Sequence, residues 1–329
     1  MTRDAFDRHL ARDRPGLYES HYLKANSPDG QSAFWIKHNL LVPAGAPGAG
    51  VGEFWLVWFE RGAAPRVWKR EVPLADLTLR AETLGMGGDR FHFDAFGCTG
   101  QIAGASWRLA FSGGRAPLFH FASPRLYTAA FPKKKLLTPA PNLRFDGAID
   151  VGGRSHEISS WLGLRGHNWG TEHAFAYAYG NCNQWDDGAT DRAIDGFTAR
   201  IKLGPTLSPW LSSLVFRDGT DELSHNRFRD WLPRGASVSA DAWRLPYRDL
   251  DLAMTTTPDA YVGLRYRHPG GRESYCYNTK FADVAVTARS RRLTSRNGEL
   301  EVLFASPLPG VALHPTEGWT QRDGDYHST

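Results

Sequence analysis

The residue types that could do chemistry are concentrated in one stretch, WLGLRGHNWGTEHAFAYAYGNCNQWDD, which runs from Trp161 to Asp187. Aromatic, imidazole, amide and carboxyl side chains are interleaved there within 27 positions. The groups that could give or take a proton are His167, Glu172 and Asp186. A carboxylic acid stays protonated near neutral pH only in an apolar pocket, which penalises its charged form. The stretch therefore predicts a catalytic wall that protonates a substrate beside aromatic faces, which stabilise a developing carbocation.

The segment that follows GHNWG predicts a ligand-binding face. If residues 173–179 form a strand, histidine, phenylalanine and two tyrosines alternate on one side and three alanines on the other. Such a face is too polar for an ordinary core and aromatic enough to line a cavity. We expect it to bind substrate together with neighbouring residues and one tyrosine near the N-terminus. The predicted set is Asn168, Trp169, His173, Tyr177, Tyr179, Trp185 and Tyr22.

Two other interpretations of the same stretch stay open. His167 and His173 could bind a metal with a nearby carboxylate, but their spacing matches no familiar ligand pattern, and we expect no metal site. Alternatively, His167 and Asn168 satisfy turn backbone while Trp169 fills the core, which is a purely structural role.

Two further segments carry polar residues at strand spacing. Asp94 is a third candidate acid, although its alternation with Phe91 and Phe93 favours an outward orientation. Near the N-terminus, alternation places Tyr18, Ser20, Tyr22 and Lys24 on one face. That face fits a site wall and a solvated edge strand equally well.

The elements that must position these residues are predicted to be strands. The chain has 329 residues, which favours about two domains. Its 34 glycines and 20 prolines favour many short segments over long helices. Runs of β-branched and aromatic residues lie on both sides of a Pro-rich joint, 132–141, which is read as a loop rather than a strand. We therefore predict an all-β protein of two antiparallel sandwiches or barrels, 1–150 and 151–329, with GHNWG in the second.

Composition excludes several functional classes. The net charge is only +4 and no long basic block occurs, so a nucleic-acid-binding surface is not expected. No apolar run reaches the roughly 18 residues of a membrane helix, and the charged N-terminus does not resemble a secretion signal. Three scattered cysteines fit a reducing compartment, so we expect a cytoplasmic protein. The lysines at 133–135 are interpreted as a solvated face, with peripheral contact to a phosphate or lipid headgroup as the alternative.

Motif searches also fail for the common cofactor and hydrolase signatures. The glycine-rich stretches lack the GxGxxG spacing and a βαβ context, and no phosphate-binding GxxxxGK[ST] occurs. Neither HExxH nor GxSxG is present. We therefore expect no organic cofactor.

The chain resembles the family of hydroxyneurosporene synthase (carotenoid 1,2-hydratase) and AttH-like lipocalin proteins. The resemblance rests on GHNWG with its following aromatic strand, on YESHYLKANSP and AFWIKHNLLVP, on FPKKKLLTPAPNLRFDG, and on ESYCYNTKFADV. It spans residues 16–305. One departure is Gly180-Asn181, where the family pattern has glycine and glutamine, and this leaves the substrate class open.

The resemblance implies two consecutive lipocalin-like barrels that meet at an interface, and chemistry without a metal or organic cofactor. Related folds occur in tocopherol cyclases. We therefore expect a hydratase, dehydratase or cyclase that acts by acid catalysis on an apolar, isoprenoid-like or polyketide-like small molecule. A lipocalin-type carrier of a hydrophobic ligand is the alternative. A polysaccharide-binding sandwich is a third reading, and it requires Trp35, Trp55 and Trp58 to be exposed.

Overall fold

The computed structural model describes residue 9 and residues 14–79, 85–88, 90–314 and 326–327, and most of these lie in β-strands. The strands of the first half are β1 Leu17–Asn26, β2 Ser32–Val42, β3 Val51–Glu60, β4 Arg66–Pro73, β5 Thr78–Leu79, β6 Met86–Gly88, β7 Phe91–Phe93, β8 Gly97–Ile102, β9 Ala105–Gly113, β10 Leu118–Phe119, β11 Lys134–Val151 and β12 Arg154–Gly170.

The strands of the second half are β13 Ala176–Cys182, β14 Arg192–Arg200, β15 Lys202–Leu203, β16 Thr206–Leu207, β17 Leu211–Asp218, β18 Asp221–His225, β19 Ser237–Val238, β20 Ala242–Pro246, β21 Leu250–Thr255, β22 Val262–Arg267, β23 Glu273–Ala288, β24 Arg291–Phe304, β25 Leu313–His314 and β26 Tyr326–His327. The helical segments of the described chain are short 3₁₀ turns at Pro47–Ala49, Leu74–Asp76, Pro124–Tyr127, Phe228–Asp230 and Pro258–Ala260.

Two large sheets divide the described chain. In the first, the strands follow the order β26-β4-β3-β2-β1-β12-β11-β9-β8-β7-β6-β5, with β10 beside β11. In the second, the order is β18-β17-β14-β13-β24-β23-β21-β20-β19, with β22 beside β23. Both sheets curl, which confirms the prediction of two lipocalin-like barrels.

Three core layers explain why several strands are apolar along their whole length. In β3, Phe54 and Trp58 pack into the core of the first barrel, whereas Trp55 and Val57 pack into a layer that includes residues of both sheets. A third core fills the second barrel. A strand covered on both faces needs no alternation of apolar and polar residues. Because Trp35, Trp55 and Trp58 are all buried, the polysaccharide-binding reading is wrong.

Two sequence-based expectations are corrected by the sheets. Most of the Pro-rich joint is part of a strand, β11, in which Pro139 and Pro141 lie at register shifts between Leu137 and Ala140 and between Ala140 and Leu143. Bulges are where a strand tolerates proline, because no ladder hydrogen bond is lost there. The GHNWG motif lies in β12 and thus in the first sheet. The two sheets divide between Gly170 and Ala176, while the domain division at 150/151 stays a prediction.

The lysines at 133–135 do not form a uniform solvated face. Lys133 is exposed, but Lys134 is half-buried with its ammonium 3.9 Å from the centre of the Tyr177 ring. Lys135 is buried and donates to the carbonyl oxygen of Pro132. No helix among the described residues is long and apolar enough to span a membrane.

Candidate active site between the two sheets

Two adjoining cavities lie between the sheets and share Lys134, His173, Tyr177 and Tyr179 in their walls. The outer cavity has a volume of about 170 Å³. The inner one has about 30 Å³, which is enough for a water molecule, since roughly 10–15 Å³ suffices. A ligand in the outer cavity therefore contacts a wall behind which a water molecule fits.

The wall of the outer cavity is largely apolar. Its apolar residues are Phe121, Phe131, Pro132, Leu136, Ala174, Phe175, Phe197, Ala199, Ile201, Leu203, Leu211 and Trp231. Cavities of about this size that are lined by aliphatic and aromatic groups stay dry and bind small aromatic molecules. The outer cavity thus suits an apolar ring or chain.

The inner cavity has a pair of hydrogen-bonded phenols in its wall, Tyr22 and Tyr179. Their hydroxyl oxygens are 2.7 Å apart, although the two residues come from different sheets. Burial, and then the charge of nearby ionisable groups, raises the pKa of both phenols well above 10. Both phenols therefore remain protonated at neutral pH, and each hydroxyl has one hydrogen to donate.

Glycine in the GHNWG motif makes room for this pair. Gly166 lies opposite Tyr22 in the β1–β12 ladder. A Cβ atom at Gly166 would lie 2.0 Å from Cζ of the Tyr22 ring, which no side chain could tolerate without moving the phenol. The motif therefore has a local physical reason for its first glycine.

Asp195 lies behind the phenol pair and is fully buried. Its Oδ2 atom is 3.3 Å from the Tyr179 hydroxyl and accepts a hydrogen bond from the hydroxyl of Thr138. Its Oδ1 atom is 3.1 Å from Nε2 of His120. The carboxylate is thus held by groups from both sheets and orients the Tyr179 hydroxyl.

A second acidic group, Glu301, faces the inner cavity from β24. It accepts hydrogen bonds from the hydroxyl of Tyr177 and, at 2.9 Å, from the amide of Asn278. The register of the antiparallel pairs explains this contact, because Asn278 lies directly opposite Glu301. Tyr177 is also held in its neutral form, since burial raises its pKa well above 10.

A buried ion pair between Lys280 and Glu299 supports this wall. The ammonium also donates to Oδ1 of Asn278 at 2.6 Å and lies 4.2 Å from the centre of the Trp35 ring. Burial lowers the pKa of Lys280 to about 8. Burial by itself raises the pKa of the Glu299 carboxyl. The charges of Lys280 and Lys24 outweigh this effect and lower the pKa below 4.5.

His173 lies in the walls of both cavities with its ring stacked on Tyr18, the ring centres being 4.2 Å apart. Neither ring nitrogen has a hydrogen-bond partner among the described residues. Burial, followed by the charge of Lys134, lowers the pKa of His173 well below 6.5. A neutral imidazole with a free nitrogen at the junction of the two cavities can accept a proton.

Five of the seven predicted substrate-binding residues meet at the inner cavity. They are Tyr22, Asn168, His173, Tyr177 and Tyr179. The N-terminal segment forms part of this wall because β1 lies between β2 and β12 rather than at a sheet edge.

Trp169 and Trp185 line neither cavity. Trp169 packs beside the rings of Tyr127 and His167. Trp185 belongs to the core of the second barrel and donates to the carbonyl of Arg192 at 3.2 Å. Neither indole borders the two cavities, and a role of either in substrate binding stays a prediction.

The three predicted proton donors are not brought together at the cavities. His167 lies beside Glu19, on the face of β12 opposite Asn168. Asp186 is exposed and accepts from Thr294 at 2.7 Å. His167 faces away from the cavities because side chains alternate along β12. Asp186 lies at the surface because β13 has already ended at Cys182.

Glu172 and Asp94 do not provide a buried acid either. Glu172 lies in the outer wall, but hydrogen bonding from Lys133 and the charge of Arg272 lower its pKa, so it is a carboxylate. Asp94 is half-buried, and its Oδ2 atom is 2.9 Å from Nε2 of the exposed His92.

The site residues that sequence reasoning missed come from strands far along the chain. They are Asp195, Asn278, Lys280, Glu299 and Glu301. The available signal was period-two polarity inside apolar strands, as in YNTK and GELEVLF. Such alternation leaves the polar side chains either toward solvent or toward a buried partner, and in these two strands they face a buried wall.

A row of histidines crosses the first sheet on the face opposite the cavities. His21 lies opposite both His38 on β2 and His167 on β12. Oε1 of Glu19 is 2.8 Å from Nε2 of His167. Burial by itself raises the pKa of Glu19, but His167 and His21 outweigh it and lower the pKa well below 4.5. Burial lowers the pKa of His21 well below 6.5.

We expect the His38→Gln variant to resist acid better than the wild type. Burial lowers the pKa of His38 from 6.5 to about 3, so between these values the unfolded chain binds a proton that the folded chain does not. The stability that neutral His38 contributes is complete above pH 6.5 and is lost as the pH falls. By pH 5 this loss is about 2 kcal/mol.

Denaturant unfolding at pH 7 and pH 5 checks this expectation. The wild type should lose about 2 kcal/mol more than the variant between the two pH values. Equal losses in the wild type and the His38 variant would contradict the assignment.

Comparison with known proteins places the chain in a class by its fold. No protein-family model matches the chain. A candidate AttH protein from Nitrosomonas europaea superposes with a TM-score of 0.61 at 14% identity, covering 91% of this chain and 94% of its own. Kievitone hydratase from Nectria haematococca superposes with a TM-score of 0.53 at 10% identity, covering 92% and 94%. The chain therefore has the lipocalin-like two-barrel fold of these proteins.

Sequence relatives are found in Mycobacterium tuberculosis. The uncharacterized protein Rv0493c of strain H37Rv is 23% identical over 295 residues, which cover 85% of this chain and 84% of the relative. The uncharacterized protein MT0513 of strain CDC 1551 gives the same values. The AttH-like part of the resemblance is supported by the fold, and no comparison points specifically to hydroxyneurosporene synthase.

Proposed function

We propose that this chain is a hydratase or dehydratase that adds water to, or removes it from, an apolar small molecule. The observation that carries the proposal is the pairing of an apolar cavity with a water-sized polar one, whose shared wall contains Tyr177, Tyr179 and His173. The similarity in fold to kievitone hydratase supports the same class of reaction.

In the hydration direction, the Tyr179 hydroxyl gives its proton to one carbon of a substrate double bond. A water molecule in the inner cavity adds to the other carbon, and its second proton goes to the free nitrogen of His173. Tyr22 and Asp195 hold the Tyr179 hydroxyl in position through the contacts of 2.7 and 3.3 Å. Proton exchange with solvent restores Tyr179 and His173, so one water molecule is consumed in each cycle.

The aromatic walls suit substrates that develop positive charge on carbon. Tyr177 and Tyr179 border both cavities, and π-faces stabilise a nearby cation by about 0.5–2 kcal/mol each. Isoprenoid-like or polyketide-like molecules fit this chemistry and the apolar lining. Cyclisation would use the same proton donor with a carbon nucleophile, but the water-sized inner cavity favours water as the nucleophile.

Binding in the outer cavity is tested by the Ala199→Trp variant. Ala199 is half-buried in the cavity wall, and an indole at this position would fill much of the 170 Å³. We expect binding of an apolar fluorescent probe to fall at least about tenfold, as for the loss of most of an apolar contact surface. Ala103→Trp, on an exposed turn, is the control and should bind like the wild type. Unchanged binding in the Ala199 variant would show that the probe binds elsewhere.

A carrier of hydrophobic molecules is the second candidate function, and the apolar outer cavity favours it. Native mass spectrometry of freshly purified protein, followed by incubation with polyenes and terpenoids, separates the two. A co-purifying ligand that is bound but never converted supports the carrier. Conversion of a bound polyene or terpenoid to its hydrated or dehydrated product supports the enzyme.

A further inference from the structure

Inside the first barrel, His9, Glu19 and His21 form a buried cluster that the proposed reaction does not use. One ligand atom from each lies within 4.8 Å of those of the other two. Nε2 of His21 is 3.3 Å from Oε1 of Glu19, and Nδ1 of His9 is 3.9 Å from Oε2 of the same carboxylate. All three side chains are fully buried.

The fold brings these residues together from two parts of the chain. Glu19 and His21 are two positions apart on β1, so their side chains share the face opposite Tyr22. His9 precedes the strand in sequence and lies over the same face, with its ring 5.2 Å from that of His21. Two imidazoles and one carboxylate therefore converge from a strand and from the segment before it.

The two ring nitrogens of His21 are left without a hydrogen bond among the described residues. His21 is 0% exposed, so solvent does not satisfy them. Buried polar groups are normally paired, and each exception calls for an unseen water or ion. Nε2 of His21 is 3.3 Å from Oε1 of Glu19 but does not have the geometry of a hydrogen bond to it. Two side chains that bind the same metal ion have this arrangement, because both ligand atoms point at the ion rather than at each other.

We propose that His9, Glu19 and His21 bind one divalent transition-metal ion of the zinc type. Zinc takes imidazole nitrogen and carboxylate oxygen at about 2.0–2.2 Å, and two histidines with one glutamate form an established ligand set. Ligand atoms at that distance in a tetrahedral arrangement are about 3.3 Å apart. The observed 3.3 and 3.9 Å are near this value, so small side-chain movements suffice. The proposal departs from the sequence-based expectation of no metal.

His167 is a positioning residue for this site. Its Nε2 atom is 2.8 Å from Oε1 of Glu19, and its ring stacks on His21 at 3.9 Å between centres. A residue that is hydrogen-bonded to a metal ligand without touching the metal itself holds that ligand in its binding orientation. This gives the histidine of GHNWG a role on the opposite face of β12 from the cavities.

Metal titration of the full-length chain tests the proposal. After treatment with a chelator, the protein is titrated with zinc and with cobalt, and bound metal per chain is measured together with the cobalt absorption spectrum. We expect one equivalent of either ion, a raised Tm, and no binding of magnesium, which prefers oxygen ligands. His9→Gln and His21→Gln should both lose binding, and His167→Gln should weaken it roughly ten- to hundredfold.

The His9 variant keeps the test decisive if the His21 variant fails to fold, because residue 9 belongs to no described strand. His38→Gln is the matched control, since His38 is buried on the same face but packs with its ring centre 4.7 Å from that of Phe93 and is absent from the ligand group. Its zinc stoichiometry should equal that of the wild type. The proposal is overturned if folded wild-type protein binds less than a tenth of an equivalent, or if the His9 variant binds as the wild type does. Neither result bears on the proposed hydratase activity.

Discussion

Replacing Tyr179 by phenylalanine is expected to reduce conversion of an apolar substrate by roughly a hundredfold or more. The ring and its packing remain, but the hydroxyl that lies 2.7 Å from Tyr22 and 3.3 Å from Asp195 is removed. A positioned proton donor contributes about 10²–10⁴ to a reaction rate, so the lost donor should appear in kcat. Substrate affinity should change little because the apolar outer cavity is intact.

Steady-state kinetics and ligand binding, measured on the same preparation, check this expectation. The matched control is Tyr275→Phe, a partly buried phenol that lines neither cavity and should keep wild-type kcat. A purely structural role for Tyr179 would lower the Tm and raise KM without a selective fall in kcat. Full turnover by the Tyr179 variant would exclude it as the proton donor.

The Lys280→Met variant is expected to lose about 3–5 kcal/mol of folding stability. Methionine matches the length of the lysine side chain but leaves the carboxylate of Glu299 without its buried partner. Removal of one member of a buried pair is costly because the remaining charge stays desolvated. The sheet wall around Asn278 and Trp35 should loosen as a result.

Chemical denaturation of single and double variants tests this explanation. Adding Glu299→Gln to Lys280→Met removes the unpaired charge and should recover part of the loss. Arg265→Met, at an exposed position of β22, is the control and should stay within about 0.5 kcal/mol of the wild type. If the Lys280 variant is as stable as the wild type, the pair contributes nothing to the fold.

Local pattern was enough to predict antiparallel β-structure on both sides of the chain's middle and one wall of the site, whereas the lipocalin-like barrels followed from the family resemblance. The runs AFWIKHNLLV and EFWLVWFE have the aromatic and β-branched composition of strands, and they form the hairpin of β2 and β3. Alternation after GHNWG placed Tyr177 and Tyr179 on a common face, and both border the cavities. These predictions depend only on period two and turn chemistry, which neighbouring residues determine.

Local sequence pattern could not predict which of the titratable side chains face the cavities. His167 and Asn168 are adjacent, yet only Asn168 faces the cavity. Side chains alternate along a strand, and the register of its pairing decides whether the odd-numbered or the even-numbered residues face the cavity. Bulges in β11 and β23 shift that register, and apart from the prolines of β11 no residue type marks them in the sequence. Glu299 and Glu301 reach the site because β24 pairs with β13, which is more than 100 residues earlier in the chain and outside any short sequence window.

The measurement that tests the central claim most directly is incubation of the wild-type chain with polyenes and terpenoids in water labelled with heavy oxygen. We predict that a substrate bound in the outer cavity gains one labelled hydroxyl and one proton, and that Tyr179→Phe binds it without this change. Mass spectrometry of both the bound and the released molecule reads the outcome. A wild-type chain that holds such molecules in the cavity and releases them all unlabelled would contradict the account and identify a carrier.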